Sequence, residues 1–326
     1  MKPRLASFSS HSFTFAFVLA ACLALTPGPS AGAITINGKD ASLGSGEGWT
    51  CYGPTVTLHQ ASATYVVSGS SNNIALLATA DCTVVASNLS INATSALANC
   101  AALDCGTNAV TLALWSDDDY ENKFYGGANS AGICVASNTT TKASGSLVIT
   151  NWNEAGAVYV KGAGTGIRTA GIGSGSSGIG GRIHIAGGSV RAVGGGATGG
   201  PAIGGPYAHV IISGGKVTAT GGSCAPGIGG GRDGGGTLIE ISGGRVTASA
   251  SQLAAGIGAG RDSGSKGTRV YISGGTIRAT SDSRGIGNGT SGRVAWIKVT
   301  GGSVYSSLEM TSPRPTDLEG NTVWKV

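Results

Sequence analysis

Apolar and polar residues alternate in short bursts through the second half of the chain, and the bursts recur as one phrase. Between Ile183 and Ser306 it reads IHIAGGSVRA, VIISGGKVTA, IEISGGRVTA, VYISGGTIRA and IKVTGGSVYS. The leading glycines, Gly187, Gly214, Gly243, Gly274 and Gly301, lie 27, 29, 31 and 27 residues apart. Each repeat holds three apolar pieces. The first alternates as Ile183/Ile185, Val210/Ile212, Ile239/Ile241, Val270/Ile272 and Ile297/Val299, the period of a strand with one buried face. The second turns Val190, Val217, Val246, Ile277 and Val304 inward, followed two residues later by Ala192, Ala219, Ala248, Ala279 and Ser306. The third is a lone isoleucine in a glycine-rich string: Ile172, Ile203, Ile228, Ile257 or Ile286.

Three short strands separated by glycine corners describe one triangular rung of about 27–31 residues. A single rung cannot bury its apolar side, but stacked rungs align their isoleucines in interior columns and hydrogen-bond to one another. The expected fold is therefore all-β, a parallel β-helix. A flat antiparallel sandwich is the rival, disfavoured because the repeat is longer than a hairpin and its corners lack Asn-Gly pairs. Residues Thr55 to Ser146 carry less regular strands such as Thr83-Val84-Val85 and Val110 to Leu114, which read as degenerate rungs. The solenoid is thus expected over 54–308, with 34–53 capping its open end and 309–326 capping or extending the other.

The start of the chain changes the picture of where it works. Lys2 and Arg4 precede an apolar run from Phe13 to Leu25, the string TPGPS and the small triplet Ala31-Gly32-Ala33. This pattern predicts a secretory signal over 1–33, too short to span a bilayer. Leu19-Ala20-Ala21-Cys22 offers an alternative processing as a lipoprotein box. Losing the signal leaves 19 basic and 16 acidic residues, a net charge of about +3, which gives no case for nucleic acid as partner. The six cysteines that remain (Cys51, Cys82, Cys100, Cys105, Cys134, Cys224) suit disulfides in an exported chain, with Cys100 and Cys105 spaced for a local loop. Sequons stand at Asn88, Asn92, Asn138 and Asn288. Oligomeric state is not legible.

The order "VTLAL…NSAGICV…GSLVIT…AGIGSG…IHIAGGSVRA", then "PGIGGGRDGG…IEISGGRVTA" and "PTDLEGNTVWKV", resembles the glycine-rich β-helix carbohydrate-binding domains of bacterial extracellular proteins, over roughly Thr55 to Val326. The resemblance implies a right-handed helix and a non-catalytic binder of extracellular polysaccharide, with acidic plant polymers and calcium as partners. The cysteines and the loop Asn151-Trp152-Asn153-Glu154 depart from that family.

Because interior residues make the fold, function has to come from outward positions and loops. Outward on the second strand stand Arg191, Lys216, Arg245 and Arg278, with no acid at the ten outward positions there. Stacked about 4.8 Å apart, these four are expected to form a cationic strip for carboxylates; the rival reading is a charged face that blocks aggregation. The segment Trp115 to Tyr125 is the densest polar and aromatic patch. Asp117, Asp118 and Asp119 are candidate calcium ligands there, and Trp115, Tyr120 and Tyr125 are candidate sugar platforms. Two corner loops, Gly231-Arg232-Asp233-Gly234 and Gly260-Arg261-Asp262-Ser263, place Asp233 and Asp262 in adjacent repeats as a second calcium pair. Trp152 with its neighbours is a further candidate. The glycine strings lack the following helix that phosphate binding needs. No catalytic residues are assigned, since no pair of carboxylates falls on one face. A polysaccharide lyase or glycosidase is one alternative, and a structural or adhesive surface module the other.

Overall fold

The computed structural model describes residues 33–94, 99–117, 119–137, 144–164, 168–175, 178–195, 199–232, 234–251, 253–263, 267–292 and 294–307. Residues 1–32 of the expected signal, with the Cys22 box, and the tail from 309 lie outside the described residues, as do Asp118, Asp233 and Asn138.

The chain winds as a parallel β-helix with three faces. On the first face Ala109–Trp115, Ser146–Asn151, Arg182–Ile185, His209–Ile212, Leu238–Ile241, Thr268–Ile272 and Val294–Val299 pair in parallel. The second face stacks Asn122–Tyr125, Ala157–Lys161, Ser189–Val193, Lys216–Thr220, Arg245–Ser249, Thr276–Thr280 and Ser303–Ser306. The two long strands Ala63–Ser71 and Cys82–Asn92 each run on from the first face into the second, with a shift of register between Ser68 and Gly69. The third face is an 11-stranded sheet in which all but Ser45–Gly46 and Trp49–Tyr52 run parallel.

Register carries the pattern of the sequence into the core. Ile133, Ile172, Ile203, Ile228, Ile257 and Ile286 stack residue upon residue on the third face, and each is fully buried. Leu147, Ile183, Val210, Ile239, Val270 and Ile297 do the same on the first. At about 0.8 kcal/mol per buried CH₂, these columns outweigh any surface contact described below.

Two sets of glycines are required by geometry. The second glycine of each pair turns the corner between first and second faces at positive φ, 85° at Gly188 and 80° at Gly244. On the third face a Cβ at Gly229 would stand 1.9 Å from the carbonyl oxygen of Gly258 in the next turn. At the amino end Ile34–Ile36 pairs antiparallel with Ala63–Ser71, and the antiparallel ladder Ser45–Gly46, Trp49–Tyr52, Thr55–Leu58 leads into the third face. Trp49 and Tyr65 are buried there, and the Tyr65 hydroxyl donates to the Gly48 carbonyl at 2.6 Å. Among the described residues no helix is long and apolar enough to cross a membrane.

The six described cysteines are free thiols. The Cys100–Cys105 bridge suggested by their spacing is not made, because the wall of the helix lies between them. Cys105 is inside the main core, whereas Cys100 packs on Ala75 and Ala93 in a separate small cluster.

Candidate functional site

The glycine-pair corner is missing from the turn that holds Ala109–Trp115 and Asn122–Tyr125, and polar side chains close it instead. Asn122 stands in the interior column next to Val158 and is fully buried. Its Oδ1 accepts from Leu89 N–H at 2.8 Å, and the two hydrogens of its Nδ2 are shared among three acceptors, the carbonyls of Trp115 and Ala157 and Ser116 Oγ, each at 3.0 Å. Asn153 clasps the same corner from the following turn: its Nδ2 donates to Ser116 O at 2.8 Å and its Oδ1 accepts from Ser116 N–H at 3.3 Å. Buried polar groups persist when satisfied in this way, so the Trp152 loop braces the site.

This bracing holds out the loop from Ser116 to Glu121. Asp117 is tied down the stack, its Oδ2 accepting from Asn88 Nδ2 at 2.5 Å and its N–H donating to Asn88 Oδ1 at 3.2 Å. Asp119 sits at φ 67°. Trp115 ends its strand half-buried, in register with Ser87. Burial raises the Tyr120 phenol above its ordinary pKa, with Tyr125 adding to the shift.

Glu121, at the mouth of this loop, reaches past the short side chain of Ala157 to Arg191. The pair is two-pronged: Arg191 Nε donates to Oε1 at 3.1 Å and Nη2 to Oε2 at 2.5 Å. The same guanidinium lies 4.0 Å from the ring centre of Tyr159, and that ring meets Tyr125 edge-on at 5.5 Å and 67°. Burial raises the Tyr125 phenol too, with Tyr159 reinforcing the shift and Arg191 opposing it. Tyr125, Tyr159, Arg191 and Glu121 therefore form one outward cluster spanning three turns.

The four cations expected as a strip lie on consecutive turns, but in two columns. Lys216 and Arg245 are direct register partners. Arg191 and Arg278 stand two residues further along their strands, in a column where Thr218 and Thr247 separate them. Arg278 stacks on Tyr305, 4.5 Å from the ring centre. Only Lys216 and Arg245 face each other as like charges, and both are exposed.

Asp262 pairs with its neighbour Arg261 at 3.0 Å, and Asp118 and Asp233 lie outside the described residues. Among the described residues no three His, Cys, Asp or Glu side chains gather where they could hold a metal. A calcium cage takes six to eight oxygens, and the described side chains of the Asp117 to Asp119 loop supply only part of such a set.

Sequence reasoning missed Tyr159, Glu121 as the partner of Arg191, and a second aromatic pair on the first face, Tyr271 and Trp296 at 4.6 Å. The signal for Tyr159 was the alternation AVYVK, which turns Tyr159 outward between Val158 and Val160.

Residues 210–232 and 239–261 match a family model described as Beta helix repeat, and each matched segment contains one strand from each face. Searches of curated proteins and of solved structures found no match. The chain thus carries beta helix repeats, the sequence counterpart of its parallel β-helix fold.

Proposed function

We propose that this chain is a secreted or cell-surface module that binds an acidic extracellular polysaccharide without turning it over, and that the second face is its binding surface. The observation that carries the reading is the register pairing of Lys216 with Arg245. Like charges directly opposite on neighbouring strands repel, and a carboxylate lying between them removes the repulsion. Over the three turns before Lys216 in the stack, the Tyr125, Tyr159 and Arg191 cluster offers rings to sugar faces and a guanidinium fixed in orientation by Glu121. A polymer lying along the stack meets both features, since successive turns are about 4.8 Å apart.

The non-catalytic part of the reading is supported by the state of Glu121. Both of its oxygens accept from Arg191, so neither is directed at a substrate as that of an acid or base has to be. Calcium dependence enters as a secondary element resting on the Asp117 to Asp119 loop.

The test is retention of the purified chain on immobilised acidic and neutral polysaccharides, with calcium or with chelator, while reducing and unsaturated ends are followed. The expected result is retention on acidic polymers without product, weakened about tenfold, or about 1.4 kcal/mol, in Lys216→Ala/Arg245→Ala and in Tyr159→Ala. Undiminished retention in those variants rules out this face. Release of product makes the chain an enzyme, and no retention on any polymer makes it a structural or adhesive module.

A further inference from the structure

The outward side of the first face is built differently from that of the second. On consecutive turns it holds His209 and Ile211, Leu238 and Glu240, Arg269 and Tyr271, then Trp296 and Lys298. One of each pair is a large apolar side chain, and Ile211, Leu238, Tyr271 and Trp296 are all half-buried. On the same turns the second face turns out only hydroxyls and cations until Tyr305. Isolated exposed apolar residues are ordinary, whereas a run of them rimmed by charge marks an interaction surface.

The last two turns set rings and cations in a square. Arg269 is in register with Trp296 and Tyr271 with Lys298, so the rings take one diagonal and the cations the other. The ring centres are 4.6 Å apart and their planes are inclined at 59°. A bulge delivers Trp296 to this square. Thr268 pairs with Val294 and Arg269 with Trp296, which leaves Ala295 as one residue in excess. Val294 and Ile297 can then both be buried while Trp296 turns outward, and bulges recur where a side chain has to be re-aimed. Neither Arg269 nor Lys298 forms an ion pair with a described residue. Glu240, the acid in register with Tyr271, is bonded instead to His209 at 2.5 Å.

Charge and shape restrict the occupant. Unpaired cations favour an anion, and a guanidinium holds a carboxylate through two parallel hydrogen bonds. Rings inclined at 59° cannot both lie flat against a planar ligand. A sugar carries C–H groups on its faces and around its rim, so it can meet one ring with a face and the other with its rim.

We propose that Tyr271, Trp296, Arg269 and Lys298 form a binding site for an acid-bearing sugar residue, its ring on the aromatic pair and its carboxylate on the two cations. The proposal rests on the reading of the ligand as an acidic polysaccharide and adds a second site to it, on a different face of the helix.

Calorimetric titration with short oligomers of galacturonate and of galactose, and with acetate, tests this on two proteins. One is the wild-type chain, and the other is Tyr159→Ala/Lys216→Ala/Arg245→Ala, in which the second face is disabled. The disabled chain is expected to bind the galacturonate oligomer, and to bind the galactose oligomer and acetate at least tenfold more weakly. In that background Trp296→Ala and Arg269→Gln/Lys298→Gln should each lower the affinity at least tenfold. Binding by the wild type but not by the disabled chain overturns this site and leaves the second-face reading standing. Equal stoichiometry in the two chains does the reverse, and binding by neither overturns both. Full affinity in Arg269→Gln/Lys298→Gln, or equal affinity for the galactose oligomer or for acetate, also overturns the proposal. If Trp296→Ala lacks the wild-type circular dichroism spectrum, Trp296→Leu takes its place; it keeps an apolar side chain and loses the ring, and unchanged affinity there overturns the stacking.

Discussion

Replacing Gly229 by alanine tests the stacking of the third face more severely than any core truncation. The added Cβ stands 1.9 Å from Gly258 O and 2.9 Å from the Pro226 ring, and the residue keeps φ 153°. The obstructing atom is backbone, so no rotamer change relieves it. The turns would have to part by more than 1 Å, roughly, to restore ordinary contact. Parting them strains the bonds that join these two turns, such as Gly221 N to Ser249 O at 2.9 Å and Arg261 N to Cys224 O at 3.0 Å, each contributing about 0.5–1.5 kcal/mol net. Backbone strain adds roughly 1–3 kcal/mol. The expected loss is about 3–5 kcal/mol. With a urea slope of about 3 kcal/mol/M, the unfolding midpoint falls by roughly 1–1.7 M. Gly164→Ala is the control, since nothing lies within 4 Å of its Cβ position, and its midpoint should stay near that of the wild type. Equal midpoints for the two variants would refute the close approach of successive turns on this face.

Asn122→Ala removes the buried side chain that bonds Leu89 N–H, Trp115 O, Ala157 O and Ser116 Oγ. Leaving such groups unpaired costs about 1–3 kcal/mol each, so a loss of at least 2 kcal/mol, roughly, should appear in urea unfolding, and wild-type stability would contradict the network. His184 should contribute a pH dependence. Burial, with neighbouring Arg182, holds its imidazole below the ordinary value, so the unfolded chain binds the proton more readily. The contribution is complete above about pH 6.5 and is lost as pH falls through the lower folded value. The drop in urea midpoint from pH 7.5 to 5 should be smaller in His184→Gln, and equal drops would remove His184 from the account.

How much of this was legible in the sequence follows from what the repeat constrains. The phrase around each glycine pair records positions that every turn uses alike, the inward column and the corner, and so Ile183 to Ile297 could be stacked on paper. The outward columns are under no such constraint. Lys216 and Arg245 fell into register because their turns share the phrase, but placing Arg191 and Arg278 in the same strip overlooked a shift of two residues along the strand, which puts threonines between them. Tyr159 sits in a turn whose corner is a loop instead of a glycine pair, so no phrase aligned it with Arg191. Asn122 read as one more polar residue in a polar segment, yet it occupies an interior column, because a corner built without glycine still has backbone groups to satisfy. Cysteine spacing was blind to the wall that separates Cys100 from Cys105. The irregular turns are therefore the informative ones. Where the repeat breaks, between Trp115 and Tyr159, the chain gives up glycine corners for a braced loop and an aromatic and guanidinium cluster, and it is there that its side chains depart most from what stacking alone requires.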